Sequence, residues 1–333
     1  MPVSQSDMTS RERLNAAIAG KPVDRPPVSL WQHLPERDQT AADLADATLT
    51  WHQQFPTDFV KFMPPGDYPT IDWGAESVYQ GSRAGTRTTV KFPMSSVSDW
   101  THLPSVSARE GFNHTSLDAL ARTRARLADE VPLFYTVFSP LTIAMKLSDG
   151  NVIEHLRSHP AEVHAGLAVI RDVTRDVAAA SLEAGGDGFF FATQCADYTV
   201  MDEVEYLEFG LRYDLEVLEN LPERTIVMLH LHGASPMFQL ESRYPAHIIN
   251  WHDQRAAPSL ADGQRRSGRC VAGGINEQAI VTDRPGLIIE TVKAAVAEVG
   301  GRSVVIAPGC VIPIDTPPET IKAILAAFAS DLE

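Results

Sequence analysis

Leu182-Glu183-Ala184-Gly185-Gly186-Asp187-Gly188-Phe189-Phe190-Phe191-Ala192 joins two kinds of periodicity, and its reading decides the fold. Upstream, across Ala161–Ala184, apolar residues recur at three- and four-residue spacing: Val163, Leu167, Ile170, Val173, Val177 and Leu182. That spacing gives a helix one buried stripe. Gly185-Gly186 closes it as a C-cap, and Gly188–Ala192 is a short strand-like run. Leu287–Val299, Gly300-Gly301 and Ser303–Ala307 repeat the device. A recurring helix, glycine stop and strand implies crossover connections and a parallel sheet.

Working outward, strand-like runs also fall at Val28–Trp31, Phe59–Met63, Leu133–Phe138, Thr225–His232, Ile248–Trp251 and Cys270–Ile275. Roughly eight strands in a chain of 333 residues suit an α/β fold of the (β/α)8 TIM-barrel type. The rival, a doubly wound open sheet, lacks a Gly-x-Gly-x-x-Gly after its first strand. Thr9 and Glu12 have capping-box spacing and open a short N-terminal helix, Arg11 to Ala19, before a proline-rich turn at Pro22–Pro27. Pro64 to Ser107 resembles a β-hairpin insertion over the barrel mouth. We expect residues 1–8 to form a loose tail and residues 9–333 a single domain, with no internal repeat or linker.

The composition narrows the function classes. Lys+Arg 28 against Asp+Glu 43 gives a net charge of −15, which argues against nucleic acid and anionic membrane as partners. A polyanionic substrate would need a local basic patch. Three cysteines are too few for a disulfide framework, and no apolar run approaches membrane-spanning length. A cytoplasmic protein acting on a small molecule is the expectation.

In a barrel, chemistry sits where the strands run out. Those ends carry Trp31-Gln32-His33, Lys61 with Met63, Phe138-Ser139, Thr193-Gln194-Cys195, His230-x-His232, Trp251-His252-Asp253, Gly273-Gly274-Ile275-Asn276 and Gly309-Cys310. Strand alternation sets Met228, His230 and His232 on one face. Two imidazoles two apart, joined at the same rim by Cys310 from the last strand, offer zinc a nitrogen and sulfur donor set with an open fourth position. The bland alternative is a capping histidine and a small buried cysteine. Cys195 reads as a fourth ligand, a nucleophile or a core residue; Cys270 begins its strand at the far rim and reads as structural. His252 and Asp253 are candidates to orient a ligand or act as an acid/base pair, with Gln194 positioning the reactants. Trp31, His33, Phe138 and Trp251 are the candidate substrate walls, together with Trp73, and Gly273-Gly274 would let backbone approach a ligand closely.

Arg11-Glu12-Arg13-Leu14 followed by Asp24-Arg25-Pro26-Pro27-Val28 resembles the opening of the uroporphyrinogen decarboxylase superfamily. So do Pro140-Leu141-Thr142, Val271-Ala272-Gly273-Gly274-Ile275, and Pro308-Gly309-Cys310-Val311-Ile312-Pro313 with Asp315-Thr316-Pro317-Pro318-Glu319. The likeness runs from about Thr9 to the C-terminus and implies a (β/α)8 barrel. The decarboxylases bind porphyrinogen carboxylates with two arginines, where Gln32 and Glu36 stand here. Their catalytic aspartate after the second strand has no counterpart in Phe62-Met63-Pro64-Pro65-Gly66. Uroporphyrinogen is therefore not the expected substrate. The corrinoid-dependent methyltransferase branch holds zinc with His-x-Cys and a late Cys. The resemblance carries those positions to His230 and Cys310, with His232 in place of the first cysteine.

The resemblance thus implies a zinc-dependent, methyltransferase-like enzyme. It would activate a small thiol or hydroxyl acceptor for methyl transfer from a corrinoid or another small donor, the corrinoid being carried by a separate protein. Two alternatives stay open: a metal-independent decarboxylase (lyase) for a smaller carboxylated substrate, and a non-catalytic tetrapyrrole-binding protein. A homodimer is an option that no particular stretch argues for.

Overall fold

Buried hydrocarbon runs of the sequence form the strands of the main sheet, and the computed structural model describes residues 8–329. The strands are β1 (Val60–Phe62), β2 (Glu76–Val78), β3 (Thr88–Lys91), β4 (Leu133–Phe138), β5 (Gly188–Thr193), β6 (Ile226–Leu231), β7 (Ile248–Trp251), β8 (Cys270–Ile275) and β9 (Val304–Pro308). Seven of them make one parallel sheet in the order β1-β4-β5-β6-β7-β8-β9.

The eighth strand position closes the ring in reduced form. Val28 pairs parallel with Ile306 through a single bridge. Ser29 N–H donates to Ile306 O (3.0 Å), Ile306 N–H to Pro27 O (2.8 Å), and Asp58 N–H to Val28 O (2.8 Å). The expected strand Val28–Trp31 stays this short because Pro26 and Pro27 have no N–H, and Val28 N–H is taken by Asp58 Oδ2 at 2.7 Å. The result is a TIM-barrel-like α/β fold.

The helical stripe behaves as its spacing requires. The helix Pro160–Glu183 buries Val163, Leu167, Ile170, Val173 and Val177 against the sheet and neighbouring helices, each contributing about 1.5–3 kcal/mol of apolar burial. The N-terminal helix Ser10–Ile18 carries the Thr9/Glu12 capping box. Of the expected loose tail, residues 1–7 lie outside the described residues, and Met8 is tied down: its N–H donates to Asp24 Oδ2 at 2.9 Å. Among the described residues no helix is long and apolar enough to cross a membrane.

Pro64–Ser107 contains the hairpin β2/β3, antiparallel and set apart from the main sheet. Its connecting segment is fastened to the rim. Ile314 N–H donates to Arg83 O (2.8 Å), Arg83 Nε pairs with Asp315 (2.8 Å), and Arg87 Nη2 reaches Asp38 (2.9 Å) and Pro35 O (2.7 Å). Gly85, at φ 72°, lies so close to the chain below that a Cβ would stand 2.6 Å from His33 Cβ. Glycine is required there both for the left-handed backbone and for the approach.

One buried acid makes a prediction about the fold itself. Asp214 is fully buried and accepts from the hydroxyls of Tyr206 (2.8 Å) and Tyr244 (2.6 Å). Burial pushes its carboxyl up to about 6 from 3.8, against the pull of those donors. A carboxyl raised on folding stabilises the fold fully below its unfolded value and loses that contribution as pH rises through the folded value. The difference corresponds to about 3 kcal/mol. Asp214→Asn keeps an acceptor for the tyrosines and cannot ionise. Relative to it, the parent protein should lose stability to urea between about pH 4 and pH 7. Parallel pH profiles for the two proteins would contradict this.

Candidate metal centre

The site is built from alternation on β6 and β7. His230, 2% exposed, points into the barrel and stacks on Phe190 at 4.9 Å between ring centroids. Its register partner on β7 is Asn250. Asn250 Nδ2 donates to Ala272 O (2.9 Å) and Pro308 O (3.1 Å), which fixes Oδ1 as the atom facing His230 Nδ1 at 2.7 Å. An amide oxygen only accepts, so the proton of His230 sits on Nδ1 and the lone pair on Nε2 faces the barrel mouth.

A second imidazole is oriented the same way. His252, just past β7, has Nδ1 at 2.7 Å from Glu277 Oε1, a carboxylate oxygen that also accepts from Arg255 Nη1 at 2.6 Å. His252 Nδ1–H therefore donates, and Nε2 carries its lone pair. Both free nitrogens meet His232 Nδ1, at 3.3 Å from His230 Nε2 and 3.2 Å from His252 Nε2, while Cys310 Sγ lies 3.8 Å from the same atom. One donor atom from each of His230, His232, His252 and Cys310 falls within 4.8 Å of every other.

This geometry fits a cation better than it fits hydrogen bonds. His232 Nδ1 has at most one proton to give, and two neutral acceptors face it. Zn–N bonds of about 2.0–2.1 Å and a Zn–S bond of about 2.3 Å place tetrahedral ligand atoms about 3.3 Å apart for nitrogen pairs and about 3.6 Å for nitrogen and sulfur. Burial, then the neighbouring imidazoles, holds His230 well below its ordinary pKa, and burial with His252 lowers His232 to about 4, so these rings are neutral at neutral pH. Burial raises the Cys310 thiol to about 11. A bound cation would supply the charge that ionises it.

The cluster forms part of the wall of a cavity of about 390 Å³ at the carboxyl ends of the strands. Trp31, His33 and Phe138, candidate substrate walls, and Gln194, the candidate positioning residue, line it. Gly309 makes the approach of Cys310 possible: a Cβ there would lie 2.8 Å from His252 Cα and 3.0 Å from Trp251 O.

Other expectations need correction. Asp253 makes no pair with His252; it accepts from Gly274 N–H (3.0 Å) and Gln254 Nε2 (2.8 Å), bracing β7 against β8, and burial raises its carboxyl to about 7. Trp251 is not a cavity wall. With Asn250 facing inward, alternation turns Trp251 outward, edge-on to Phe238 at 4.7 Å with Nε1–H donating to Pro258 O at 2.9 Å. The space beside Gly273 admits the Asp253 carboxylate, since a Cβ would stand 2.4 Å from Asp253 Oδ1, and neither Gly273 nor Gly274 lines the cavity. Trp73 donates to Pro104 O at 2.8 Å, away from the cavity. Cys195 is buried against Met145 with its thiol pushed up to about 12 by burial, and stands outside the donor group, as does buried Cys270. The position left open by His230, His232 and Cys310 has His252 beside it.

Sequence reasoning missed Asn250, Glu277 and Arg255. Asn250 was detectable: it is the inward polar residue of an otherwise apolar strand. Glu277 lies beyond the end of β8 in a loop whose path no periodicity encodes.

A family model described as Uroporphyrinogen decarboxylase (URO-D) matches residues 9–330. No curated protein sequence matches the chain. Among solved structures, a methyltransferase from Methanosarcina mazei superposes with TM-score 0.84 at 19% identity, covering 97% of this chain and 98% of that one. A B12-independent methionine synthase from Shewanella sp. W3-18-1, in complex with selenomethionine, superposes with TM-score 0.62 at 13% identity, covering 92% and 96%. At such identities the likeness establishes the shared fold.

Proposed function

The chain belongs to the uroporphyrinogen decarboxylase family, and on that premise we propose that it is a zinc-dependent, methyltransferase-like enzyme that activates a small thiol or hydroxyl acceptor. The observation carrying this reading is the convergence of four nitrogen and sulfur donors, two of which, His230 and His252, are oriented from outside by Asn250 and Glu277. Carbonyl or carboxylate partners on the far nitrogen are the usual orienting shell of metal-ligating histidines.

His230, His232 and Cys310 would hold zinc, with His252 as the fourth donor. Zinc supplies Lewis acidity that lowers the pKa of an acceptor thiol or hydroxyl. One thiolate among three neutral imidazoles leaves the centre with a net positive charge, which strengthens that effect. His252 would be the donor that gives way to the acceptor, and the Nε2 so released would take the acceptor's proton. Glu277 holds the opposite nitrogen and stabilises the resulting imidazolium, while Arg255 keeps Glu277 ionised and in place. Phe138, Trp31 and Phe190 give the cavity apolar walls that exclude water, and Gln194 is placed to orient donor or acceptor. The methyl group would come from a corrinoid on a separate protein or from another small donor.

The test is zinc-dependent demethylation of methylcobalamin by a small thiol, followed by the absorbance of the methyl–cobalt bond. The expected result is turnover that a chelator abolishes and added zinc restores. Carbon dioxide release from a small carboxylic acid by the metal-free protein would favour the lyase reading instead.

A further inference from the structure

Lys61 lies in the cavity wall, 6% exposed, on the central residue of β1. Its ammonium contacts Met63 Sδ and the faces of Phe190 (4.2 Å to the centroid) and Trp31 (5.7 Å). Among the described residues no carboxylate pairs with it. Burying an ammonium costs several kcal/mol unless an anion meets it, and burial brings Lys61 down to about 7, so an anion beside it is what would hold its charge. Thioether and ring faces recover only part of that cost. A methionine of similar length would fill the same space without any charge to desolvate.

The wall around it is underused in the same way. Trp31 Nε1 and His33 Nδ1 are buried with no hydrogen-bond partner. Lys146, whose ammonium stands over Phe138 at 5.1 Å, adds a second cation near His33. The one carboxylate lining the cavity, Glu277, is already held by His252 and Arg255. Phe190 touches both Lys61 and the candidate metal cluster, since His230 stacks on the same ring. In a chain with a net charge of −15, this is a cavity wall that invites an anion.

We propose that Lys61 determines acceptor specificity by pairing with a carboxylate of the methyl acceptor, which makes the acceptor a small mercapto- or hydroxycarboxylic acid. This rests on the reading of the cluster as an acceptor-activating centre. The acceptor's sulfur or oxygen would face His252 and its carboxylate would face Lys61, both of which line the same cavity. A cavity of about 390 Å³ suits a molecule of that size.

The experiment is calorimetric titration of the zinc-loaded and metal-free protein with 3-mercaptopropionate and with 1-propanethiol, repeated on Lys61→Met. The parent protein should bind the charged thiol at least about tenfold more tightly, the worth of one charge-assisted hydrogen bond. Lys61→Met should lose that preference while melting no lower than the parent. Equal binding of the two thiols by the parent, or a preference that survives in Lys61→Met, would overturn the proposal. So would an absence of binding by either thiol. Equal binding by the parent protein overturns the proposal even if the variant does not fold, and Lys61→Gln offers a second uncharged variant for the assignment. A charge preference that persists while the binding of both thiols is indifferent to zinc would uphold Lys61 and remove the metal reading. Zinc-dependent binding without any charge preference would do the reverse.

Discussion

Zinc affinity falls by at least about 100-fold in His230→Ala and in Cys310→Ser, and thiol-dependent turnover falls with it. The magnitude follows from dividing a zinc-binding free energy of about 10–16 kcal/mol among four donors, which gives each about 3 kcal/mol. The two variants act from opposite sides of the site. His230 is packed in the barrel against Phe190 and holds Asn250, so its loss also frees a buried acceptor and lowers stability by about 1–3 kcal/mol. Cys310 stands on the loop after β9 and is part-exposed, so its serine variant leaves the barrel interior intact. Equilibrium dialysis against a zinc-sensitive dye measures both. Undiminished zinc in the two variants would remove these residues from the ligand set.

Asn250→Ala is expected to have the second-largest effect, although this residue touches no metal. Its side chain satisfies two backbone carbonyls, Ala272 O and Pro308 O, and receives the His230 proton. Alanine leaves all three without partners in the barrel interior, at about 1–3 kcal/mol each, and lets His230 place its proton on the nitrogen that should bind metal. Zinc affinity should drop by about 10–100-fold, the range seen when an orienting partner of a metal-bound histidine is lost. Asn250→Asp separates the two roles. Its carboxylate still accepts from His230, so zinc affinity should stay nearer the parent's. It cannot donate to the two carbonyls, so stability should still fall. Parental zinc affinity in Asn250→Ala would mean that His230 needs no orientation.

The contrast between what the sequence disclosed and what it concealed has a physical basis. Buried strands and amphipathic helices are local patterns, so Leu133–Phe138, Ile248–Trp251 and Cys270–Ile275 match the observed elements residue for residue. The barrel followed from repeating them. Cys310 beside His230 and His232 was also legible, because all strands of a parallel barrel end at one rim. Side-chain direction at the end of a strand was harder. Counting from Asn250 puts Trp251 outside and His252 inside, yet the sequence suggested Trp251 as a wall and paired His252 with its chain neighbour Asp253. Adjacent residues on an extended segment point apart, and the true partner of His252, Glu277, is brought in by a different strand. Lys61 was legible as a polar residue at a strand end, but nothing local to Val60-Lys61-Phe62 shows that its ammonium would be enclosed by aromatic rings.

X-ray absorption at the zinc edge of the purified protein tests the central claim most directly. The account predicts one zinc per chain with three nitrogen ligands at about 2.0–2.1 Å and one sulfur at about 2.3 Å. A small thiol should add a second sulfur and displace one nitrogen. A protein that takes up no zinc, or a zinc shell without sulfur, would contradict it.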